Sequence, residues 1–317
     1  MGLNTSALGQ FNDELAGKIV LDSVAVGTTA EYVTMQQGVK YQAPINLASV
    51  EPVFQGGDIL AGTSGSAVFS QRNLTTTKRT AFDAWSLQTI TDKYLGKMAL
   101  PEGSYEETFA IMEDLTSDLV KKARQANDVF IWQSVSGSST SLSDVAVAAA
   151  DGLKVIISGS TAGVQTPTGP ATGSITSALA YDQLVDMIDA LDANVVAADD
   201  LTFFCGTGTF TKIVSGLTKQ NLFHFDPTSV ERRNGMYEVP MPGFPNVRIV
   251  GTYGLNGSDR VVLGPSSDIF IGCDLISDVE NFKTWFSIDD DNIKYRLRTK
   301  LAANVAHPEY WVSNDLA

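Results

Sequence analysis

Residues 104–133 carry the clearest helical pattern of the chain, S-Y-E-E-T-F-A-I-M-E-D-L-T-S-D-L-V-K-K-A-R-Q-A-N-D-V-F-I-W-Q. Ser104 and Glu107 form an S-x-x-E capping box, which starts a helix by satisfying free backbone amides. Apolar residues then recur every three or four positions, the spacing of an amphipathic helix. The sequence therefore predicts a helix from Tyr105 to about Gln133, roughly 40 Å long at 1.5 Å per residue.

The charges along this helix follow its dipole. Acids occupy the first half and bases the second half, as the partial charges of the helix ends favour. The apolar stripe could also form a coiled-coil seam, but the strands predicted nearby favour packing on a sheet of the same subunit. The acids are Glu106, Glu107, Glu113 and Asp114, and the bases are Lys121, Lys122 and Arg124.

Two extended runs precede the helix and predict a projecting hairpin. The first run starts at Gly38 and has few charges and many strand-forming residues. Residues 56–65 are rich in glycine, which suits a turn. A second run, rich in threonine, extends from Ala67 to Thr80. Neither run has enough large apolar residues to be buried on both faces, so the hairpin must contact another molecule or stand in solvent.

The second half of the chain predicts a compact α/β lobe followed by a return hairpin. Residues 134–143 and 158–174 read as loops, and residues 145–157 between them fit either a short helix or a strand. Residues 1–37 read as an arm with weak patterning. The remaining predicted elements are a helix over Tyr181–Leu191, a buried strand over Leu201–Cys205, a helix over Thr207–Lys219, strands within 237–272, a hairpin within 279–312 that turns at residues 289–292, and a final strand near 310–312.

Composition narrows the class of protein. The chain has 317 residues, 44% of them hydrophobic, which predicts one large or two intimately joined domains. We find no apolar run of membrane-spanning length and no secretory signal, so we expect a protein made and used in a cytoplasm. The formal net charge of −14 argues against tight binding to nucleic acid, which needs a basic surface.

Candidate chemical sites are weak. Cys205 and Cys273 lie in separate apolar stretches and read as buried free thiols. His224 and His307 fit no metal-ligand pattern. Gly206-Thr207-Gly208-Thr209 could be a phosphate-binding turn, but it lacks the third glycine, so we interpret it as a plain strand-to-helix turn. The sequence therefore predicts no catalytic residue, no cofactor site and no metal site.

Two further segments partly resemble ligand-binding loops, but their sequences fit ordinary turns better. Asp289, Asp290 and Asp291 could hold calcium, but they do not alternate with spacers and no glutamate ends the loop. The pattern therefore favours a solvated hairpin turn. No lysine follows the glycine segment 56–65, so it is read as a loop tip and not as a phosphate cradle.

The order of the elements resembles that of the HK97-type major capsid proteins of tailed phages. An arm, a projecting two-stranded loop, a beam helix, an α/β lobe and a return hairpin follow one another over nearly the whole chain. Local sequence is similar to capsid proteins of crAss-like phages and their relatives in Bacteroidetes hosts. The similar segments are Gly38-Val39-Lys40, residues 92–97, Leu100-Pro101 and Ile131-Trp132-Gln133-Ser134.

The resemblance implies a fold class and a set of boundaries. We expect an α+β, HK97-like capsid fold with an N-terminal arm, an extended β-hairpin loop (the E-loop), a peripheral domain with a long spine helix, and an axial α/β domain. The implied boundaries are 1–37 for the arm, 38–82 for the extended loop, 83–141 for the peripheral domain, 142–275 for the axial domain, and 276–317 for the peripheral hairpin and final axial strand.

The resemblance also implies a function. We expect a non-enzymatic shell protein that forms homo-pentamers and homo-hexamers, encloses double-stranded DNA without binding it specifically, and resides in the virion after assembly in the host cytoplasm. The implied partners are a scaffolding protein, a portal and a decoration protein, with no membrane partner. The alternatives are an encapsulin-type shell of a bacterial compartment and a nucleotide-binding α/β enzyme built around the Gly206 turn.

One intersubunit contact follows as a hypothesis. In HK97-type shells the loop lies across the peripheral domain of the adjacent subunit. The return strand of the predicted hairpin carries bases in a stretch without acids, and the first half of the spine helix carries acids. We therefore expect Arg72, Lys78 and Arg79 of one subunit to meet Glu106, Glu107, Glu113 and Asp114 of its neighbour.

Overall fold

A computed structural model of the protein describes residues 29–51, 65–86, 122–123, 125–136, 150–159, 174–220, 231–233, 236–274, 282–287 and 292–314. Its strands are β1 (Thr34–Gln36), β2 (Gln42–Glu51), β3 (Ser66–Thr75), β4 (Thr77–Ser86), β5 (Leu201–Gly206), β6 (Glu231–Arg233), β7 (Met236–Met241), β8 (Phe244–Thr252), β9 (Val262–Pro265), β10 (Ile269–Cys273), β11 (Phe282–Ser287), β12 (Asn292–Val305) and β13 (Val312–Ser313). Its helices are α1 (125–133), α2 (Leu153–Gly159), α3 (Ala180–Asp189), α4 (Ala193–Val196) and α5 (Thr207–Lys219).

A six-stranded sheet with the order β13-β9-β5-β8-β7-β6 forms one lobe. Strands β5 and β8 are parallel, and the other neighbours are antiparallel. Every residue of β5 is buried. Because successive side chains of a strand point to opposite faces, β5 contributes to a core on each side of the sheet.

The first core lies between this sheet and helices α3 and α5. Leu184, Met187 and Ile188 of α3 and Phe210 and Ile213 of α5 are buried in it against the sheet. Both helices therefore cover the same face of the six-stranded sheet, as their amphipathic spacing predicts.

The second core lies on the opposite face and joins this lobe to the rest of the subunit. Phe204 of β5 packs there with Trp132 of α1, with their ring centroids 5.2 Å apart. Trp311 and Ile157 are also fully buried in this cluster. The two lobes consequently share this second core.

A five-stranded sheet is organised around the long strand β12. Strands β11 and β10 lie in succession along one edge of β12, and β4 lies along the other. Strand β1 adds to β10 in parallel, with Thr34 opposite Phe270. On the face toward α1, Leu297 and Leu301 are buried, and Leu301 contacts the same cluster as Phe130 of α1.

A hydrogen-bonded network holds the end of α1 against both lobes. The buried Asp128 carboxylate accepts bonds from the Thr29 hydroxyl and from the backbone amide of Gly254 at 2.6 Å. The Trp132 indole donates to the Thr29 hydroxyl at 2.9 Å. Since buried polar groups are costly unless paired, this network specifies how the helix enters the core.

Most predicted elements of the second half are confirmed. Helices α3 and α5 and strand β5 match their predicted ranges, and β11 and β12 form the predicted return hairpin. The segment 145–157, which fitted either a helix or a strand, holds the first part of the helix α2, and α2 runs on to Gly159 in the predicted loop. The beam helix is confirmed at its C-terminal end, where α1 stops at residue 133, whereas residues 101–121 and 137–149 lie outside the described residues.

Strand β1 was not predicted, because three residues of mixed character give no periodic signal. Among the described residues, no helix is long and apolar enough to cross a membrane. Within the same ranges, no group of three or more His, Cys, Asp or Glu side chains is placed to hold a metal ion.

The junction between α1 and the six-stranded lobe gives a first test. A methyl group on Gly254 would lie 2.5 Å from the backbone carbonyl oxygen of Asp128, and backbone cannot shift cheaply. We expect Gly254→Ala to lower the free energy of unfolding by about 1–3 kcal/mol. Gly208→Ala is the control, because nothing lies within 4 Å of its Cβ position, and it should stabilise helix α5 by up to about 1 kcal/mol. Guanidinium unfolding of unassembled subunits measures both values, and equal stabilities would contradict the packing described.

Candidate intersubunit surfaces

Strands β2 and β3 form the predicted hairpin. They pair antiparallel over ten residues each, from Gln42 opposite Thr75 at the base to Glu51 opposite Ser66. The predicted glycine-rich tip falls mostly in residues 52–64, which lie outside the described residues. These two strands form a sheet of their own, separate from the two larger sheets.

The base of the hairpin is fixed to the five-stranded sheet by a small apolar cluster. Ala43, Ile45 and Leu74 of the hairpin pack there with Ala302 of β12. Leu74 is fully buried, and a Cβ on Gly272 of β10 would lie 2.6 Å from its side chain. The absence of a side chain at Gly272 is therefore what lets the hairpin sit directly on the sheet.

The far half of the hairpin exposes apolar side chains, which we call the distal face. Directly opposite residues of an antiparallel pair share a face, so Ala48 with Phe69 and Val50 with Ala67 form one patch on the side opposite Leu74. Phe69 is 78% exposed and Val50 is 63% exposed. Exposed apolar patches of this kind mark surfaces that contact other molecules.

The return strand is divided at Thr76, which corrects the single extended run predicted from Ala67 to Thr80. The Thr76 amide donates to the Tyr41 carbonyl at 2.8 Å, and its hydroxyl bonds the same carbonyl. These bonds close the hairpin. The chain then continues as β4, whose residues pair with β12 from Thr77 onward. Residues 77–82, assigned to the extended loop from sequence, therefore lie in the five-stranded sheet.

The predicted contact residues are placed in different environments. Arg72 lies on the hairpin opposite Ile45 and is partly exposed, and Lys78 lies on β4 opposite Lys300 and is exposed. Arg79 lies inside the subunit. The predicted acidic partners Glu106, Glu107, Glu113 and Asp114 lie outside the described residues.

Arg79 has a structural role within its own subunit. Its guanidinium donates to Asn127 Oδ1 at 3.0 Å and lies 4.4 Å from the centre of the Phe130 ring. Burial lowers the pKa of Arg79 to about 10, so the side chain is still charged at neutral pH. Sequence reasoning missed this placement, because the signal is strand parity: Arg79 and Lys78 must point to opposite faces of β4.

The outward face of the five-stranded sheet concentrates positive charge. Lys294, Arg296, Arg298 and Lys300 are alternate residues of β12 and therefore share one face. Lys78 of β4 lies directly opposite Lys300 on the same face. We call these five residues the basic face. Sequence reasoning missed it, although K-x-R-x-R-x-K at residues 294–300 is visible once a strand is assumed.

Two exposed aromatic side chains come from the strands on either side of β12. Phe82 of β4 is directly opposite Arg296, and Trp285 of β11 is directly opposite Lys294. Phe82 is 58% exposed and Trp285 38%, and their ring centroids lie 6.2 Å apart. The two rings therefore meet above β12, on the same surface of the sheet as the cationic side chains.

Hydrogen bonds to the Asp268 carboxylate hold together the two segments that connect the lobes. Its segment connects β9 of one sheet to β10 of the other, and residues 306–311 make the opposite crossing from β12 to β13. The Asp268 carboxylate accepts bonds from the His307 amide at 3.0 Å and the Trp311 indole at 2.9 Å, and the His307 Nδ1 atom lies 2.7 Å away. One carboxylate therefore links the β9–β10 connection to residues 306–311, the two segments that pass between the sheets.

A groove of about 750 Å³ lies between the hairpin base and α4, with Ile45 and Leu47 on one side. Its acids bond to the protein itself. Asp192 caps α4 through the Asn194 amide at 2.9 Å, and Asp200 accepts from the Ser267 amide at 2.9 Å. These two carboxylates stabilise the fold. The third acid of the groove, Asp268, is the one that contacts His307.

The Gly206 turn is confirmed as a strand-to-helix turn between β5 and α5. The first amide of the helix, at Thr207, donates to the Asn256 side chain at 2.8 Å, and the Thr207 hydroxyl bonds the same oxygen. A Cβ on Gly206 would lie 2.6 Å from the Leu255 carbonyl oxygen. The protein's own loop therefore occupies the position that a phosphate would need.

The two thiols are buried, as predicted. Burial raises the pKa of the Cys205 thiol, and burial together with the nearby Asp274 carboxylate raises the pKa of Cys273. Both thiols are therefore kept protonated, which makes them poor nucleophiles.

Comparison with solved structures identifies the architecture. A chain of the satellite phage P4 procapsid aligns with a TM-score of 0.58 at 9% identity, over 93% of this chain and 96% of that one. A chain of the virus-like particle from Pyrococcus furiosus aligns with a TM-score of 0.52 at 10% identity, over 95% and 98%. This protein has an HK97-like capsid fold. A phage structure, Gordonia phage Cozz, aligns with a TM-score of 0.51 at 13% identity, over 92% and 86%.

The fold predicted from sequence is therefore confirmed as an α+β, HK97-like capsid fold. No protein-family model matches the sequence, and no curated protein matches it significantly. In this HK97-like fold, the projecting hairpin and the outward face of the five-stranded sheet are the described surfaces that combine exposed apolar or aromatic groups with regular geometry.

The contrast between the arginines gives a second test. Arg79→Ala removes a buried guanidinium, its bond to Asn127 and its contact with Phe130, so we expect a loss of about 1–3 kcal/mol in the free energy of unfolding. Arg72→Ala should change that value by less than about 0.5 kcal/mol. Denaturant unfolding of the unassembled subunit measures both. Equal effects of the two substitutions would show that Arg79 is not held as described.

Proposed function

We propose that this chain is a major capsid protein that self-assembles into pentamers and hexamers and forms the icosahedral head of a tailed bacteriophage around its double-stranded DNA. The observation that carries the proposal is the hairpin β2–β3. Within the described part of the chain, it is anchored only at its base, projects from the sheet, and exposes Phe69 and Val50 on the distal face. A two-stranded hairpin is at best marginally stable alone, so its exposed part needs a covering partner.

A second copy of the chain is the partner that this arrangement favours. At roughly 3.3 Å per residue, ten residues extend about 33 Å, which is enough to reach across a neighbouring subunit. Contacts in which one surface patch binds a different patch on the next copy generate closed rings when the rotation closes. Pentamers and hexamers are such rings. The mechanism is therefore geometric, with one fold placed at slightly different angles in the shell.

Additional partners follow from the same proposal. A phage head needs a portal and, for correct closure, a scaffolding protein, and a decoration protein would bind outside. The protein would reside in the virion after assembly in the host cytoplasm, act as a structural protein and not as an enzyme, and enclose DNA without binding it specifically. The net charge of −14 supports weak contact with packaged DNA.

Finer assignments belong to this proposal. Membership in the crAss-like group of Bacteroidetes phages rests on the short similar stretches between residues 38 and 134. The domain boundaries given above stay predictions, except that residues 77–82 pair with β12 and not with the hairpin. So does the docking of Arg72 and Lys78 onto Glu106, Glu107, Glu113 and Asp114 of a neighbour, with Arg79 now assigned to its own subunit.

An encapsulin-type shell is the second candidate, because the virus-like particle from Pyrococcus furiosus shares the fold at a TM-score of 0.52. Neighbouring genes separate the two candidates: terminase and portal genes support a phage head, and a cargo enzyme gene supports a compartment. A nucleotide-binding enzyme is disfavoured, because Asn256 already bonds the Thr207 amide at the Gly206 turn. Nucleotide binding to the purified protein would revive it.

The distal face provides the decisive experiment. We expect the unmodified protein to form capsomers, shells or tubes in light scattering and electron microscopy. Val50→Asp/Phe69→Asp should fold normally and remain unassembled, because it places charges where a neighbour must cover apolar groups. A monodisperse, unmodified monomer at all concentrations would contradict the proposal.

Asn46→Asp/Gln71→Glu is the matched control. It adds the same two negative charges to the same side of the hairpin, nearer the base, where Gln71 already donates to Asn46 at 2.9 Å. The control should assemble. If both variants assemble like the unmodified protein, the distal face is not an intersubunit surface.

A further inference from the structure

We propose that the basic face is an electrostatic docking site for a second copy of this chain, an inference that rests on the proposed function and names the surface that steers assembly. The site is the row Lys294, Arg296, Arg298 and Lys300 with Lys78 beside it, flanked by Phe82 and Trp285.

The charge balance of the chain makes this face unusual. The whole chain carries 22 Lys and Arg against 36 Asp and Glu, for a net charge of −14. Without the five bases of the basic face, 17 Lys and Arg remain, so the rest of the molecule has a net charge of −19. Two copies therefore repel each other in most orientations. The basic face is where an approaching copy meets attraction.

A second copy also carries the complementary charge. Residues 181–200 contain no lysine or arginine and six aspartates. Those on α3 and next to α4 include Asp182, Asp189 and Asp192, which are exposed. An acidic surface of this density on the same chain means that no foreign partner is required for charge complementarity.

The side chains on the basic face favour a protein partner over nucleic acid. Arginine and tryptophan are the residues most enriched in the energetically dominant parts of protein interfaces. Arg296 faces Phe82 across the strand pair, and Trp285 faces Lys294. One of the cationic charges is already neutralised within the subunit, since Lys300 forms an ion pair with Asp274 at 2.5 Å.

The position of the basic face also fits a contact between copies. Ala302, the next residue of β12 on this face, is covered by Leu74 of the subunit's own hairpin. The hairpin thus leaves the sheet on this side and covers one end of it. The row from Lys294 to Lys300, about 20 Å long at roughly 3.3 Å per residue, continues the same face beyond that covered end. Arg298 Nε is buried there without a hydrogen-bond partner among the described residues.

The test compares two variants with the same net charge. Lys294→Glu/Arg296→Glu changes the net charge from −14 to −18 on the basic face, and Lys212→Glu/Lys219→Glu makes the same change on exposed positions of α5. Overall repulsion is therefore equal in both. We expect the basic-face variant to need about tenfold more protein, or more, to assemble than the α5 variant, as measured by light scattering.

Two further measurements keep the outcomes separate. Lys294→Gln/Arg296→Gln removes charge without reversing it and should show an intermediate defect, and thermal melting of unassembled subunits checks that all variants fold. If the basic-face and α5 variants assemble alike, the inference is overturned while the proposed function stands. If the unmodified protein and the α5 variant never assemble, the proposed function itself fails. Fluorescence anisotropy with a 20-base-pair DNA duplex is the last arm: binding that Lys294→Glu/Arg296→Glu abolishes, with normal assembly, would assign the face to nucleic acid.

Discussion

The contact of Leu74 with Gly272 and Ala302 attaches the projecting hairpin to the five-stranded sheet. It is the point where a two-stranded hairpin, which has no core of its own, is attached to a subunit that has one. Gly272 lets Leu74 approach the sheet directly, since any side chain there would lie 2.6 Å from it. The attachment fixes the direction in which the hairpin leaves the sheet, and no described residue of the same subunit covers Phe69 or Val50 of the distal face. The subunit therefore has a core of its own, while an apolar part of its surface stays exposed to solvent.

The residues that stabilise the subunit are different from the exposed residues that can contact other molecules. Folding is secured by the two cores around β5, by the Asp128 network at the end of α1, and by Asp268, which ties both crossings between the sheets. The distal face and the basic face contribute little to these cores. Their side chains are exposed or half-buried, and they lie on strands whose backbone geometry the core already determines. A rigid frame of this kind limits the entropy lost when copies associate, which favours assembly from small individual contact energies.

Sequence reasoning succeeded where the signal is local and failed where it depends on the pairing of distant strands. The spacing of apolar residues predicted α3 and α5, and the run of buried residues predicted β5, because periodicity reports directly on burial. The hairpin was predicted from its glycine tip and flanking strand formers. The break at Thr76 was missed, because it depends on hydrogen bonds to Tyr41, which is 35 residues away. Lys78 is exposed and Arg79 lies inside the subunit, because the chain after that break pairs with β12 and the two side chains point to opposite faces of the sheet. The basic face was missed for the same reason, since its charges are alternate residues that come together only when β12 is known to be a strand.

The hairpin of one copy completes the surface of the next, and a cryo-electron microscopy reconstruction of assembled particles would show this contact. We expect a closed shell in which Phe69 and Val50 of each subunit are buried against a neighbouring copy and the basic face is covered by protein. A closed shell in which the distal face stays in solvent, or in which the hairpin packs on its own subunit, would show that the hairpin does not have this role.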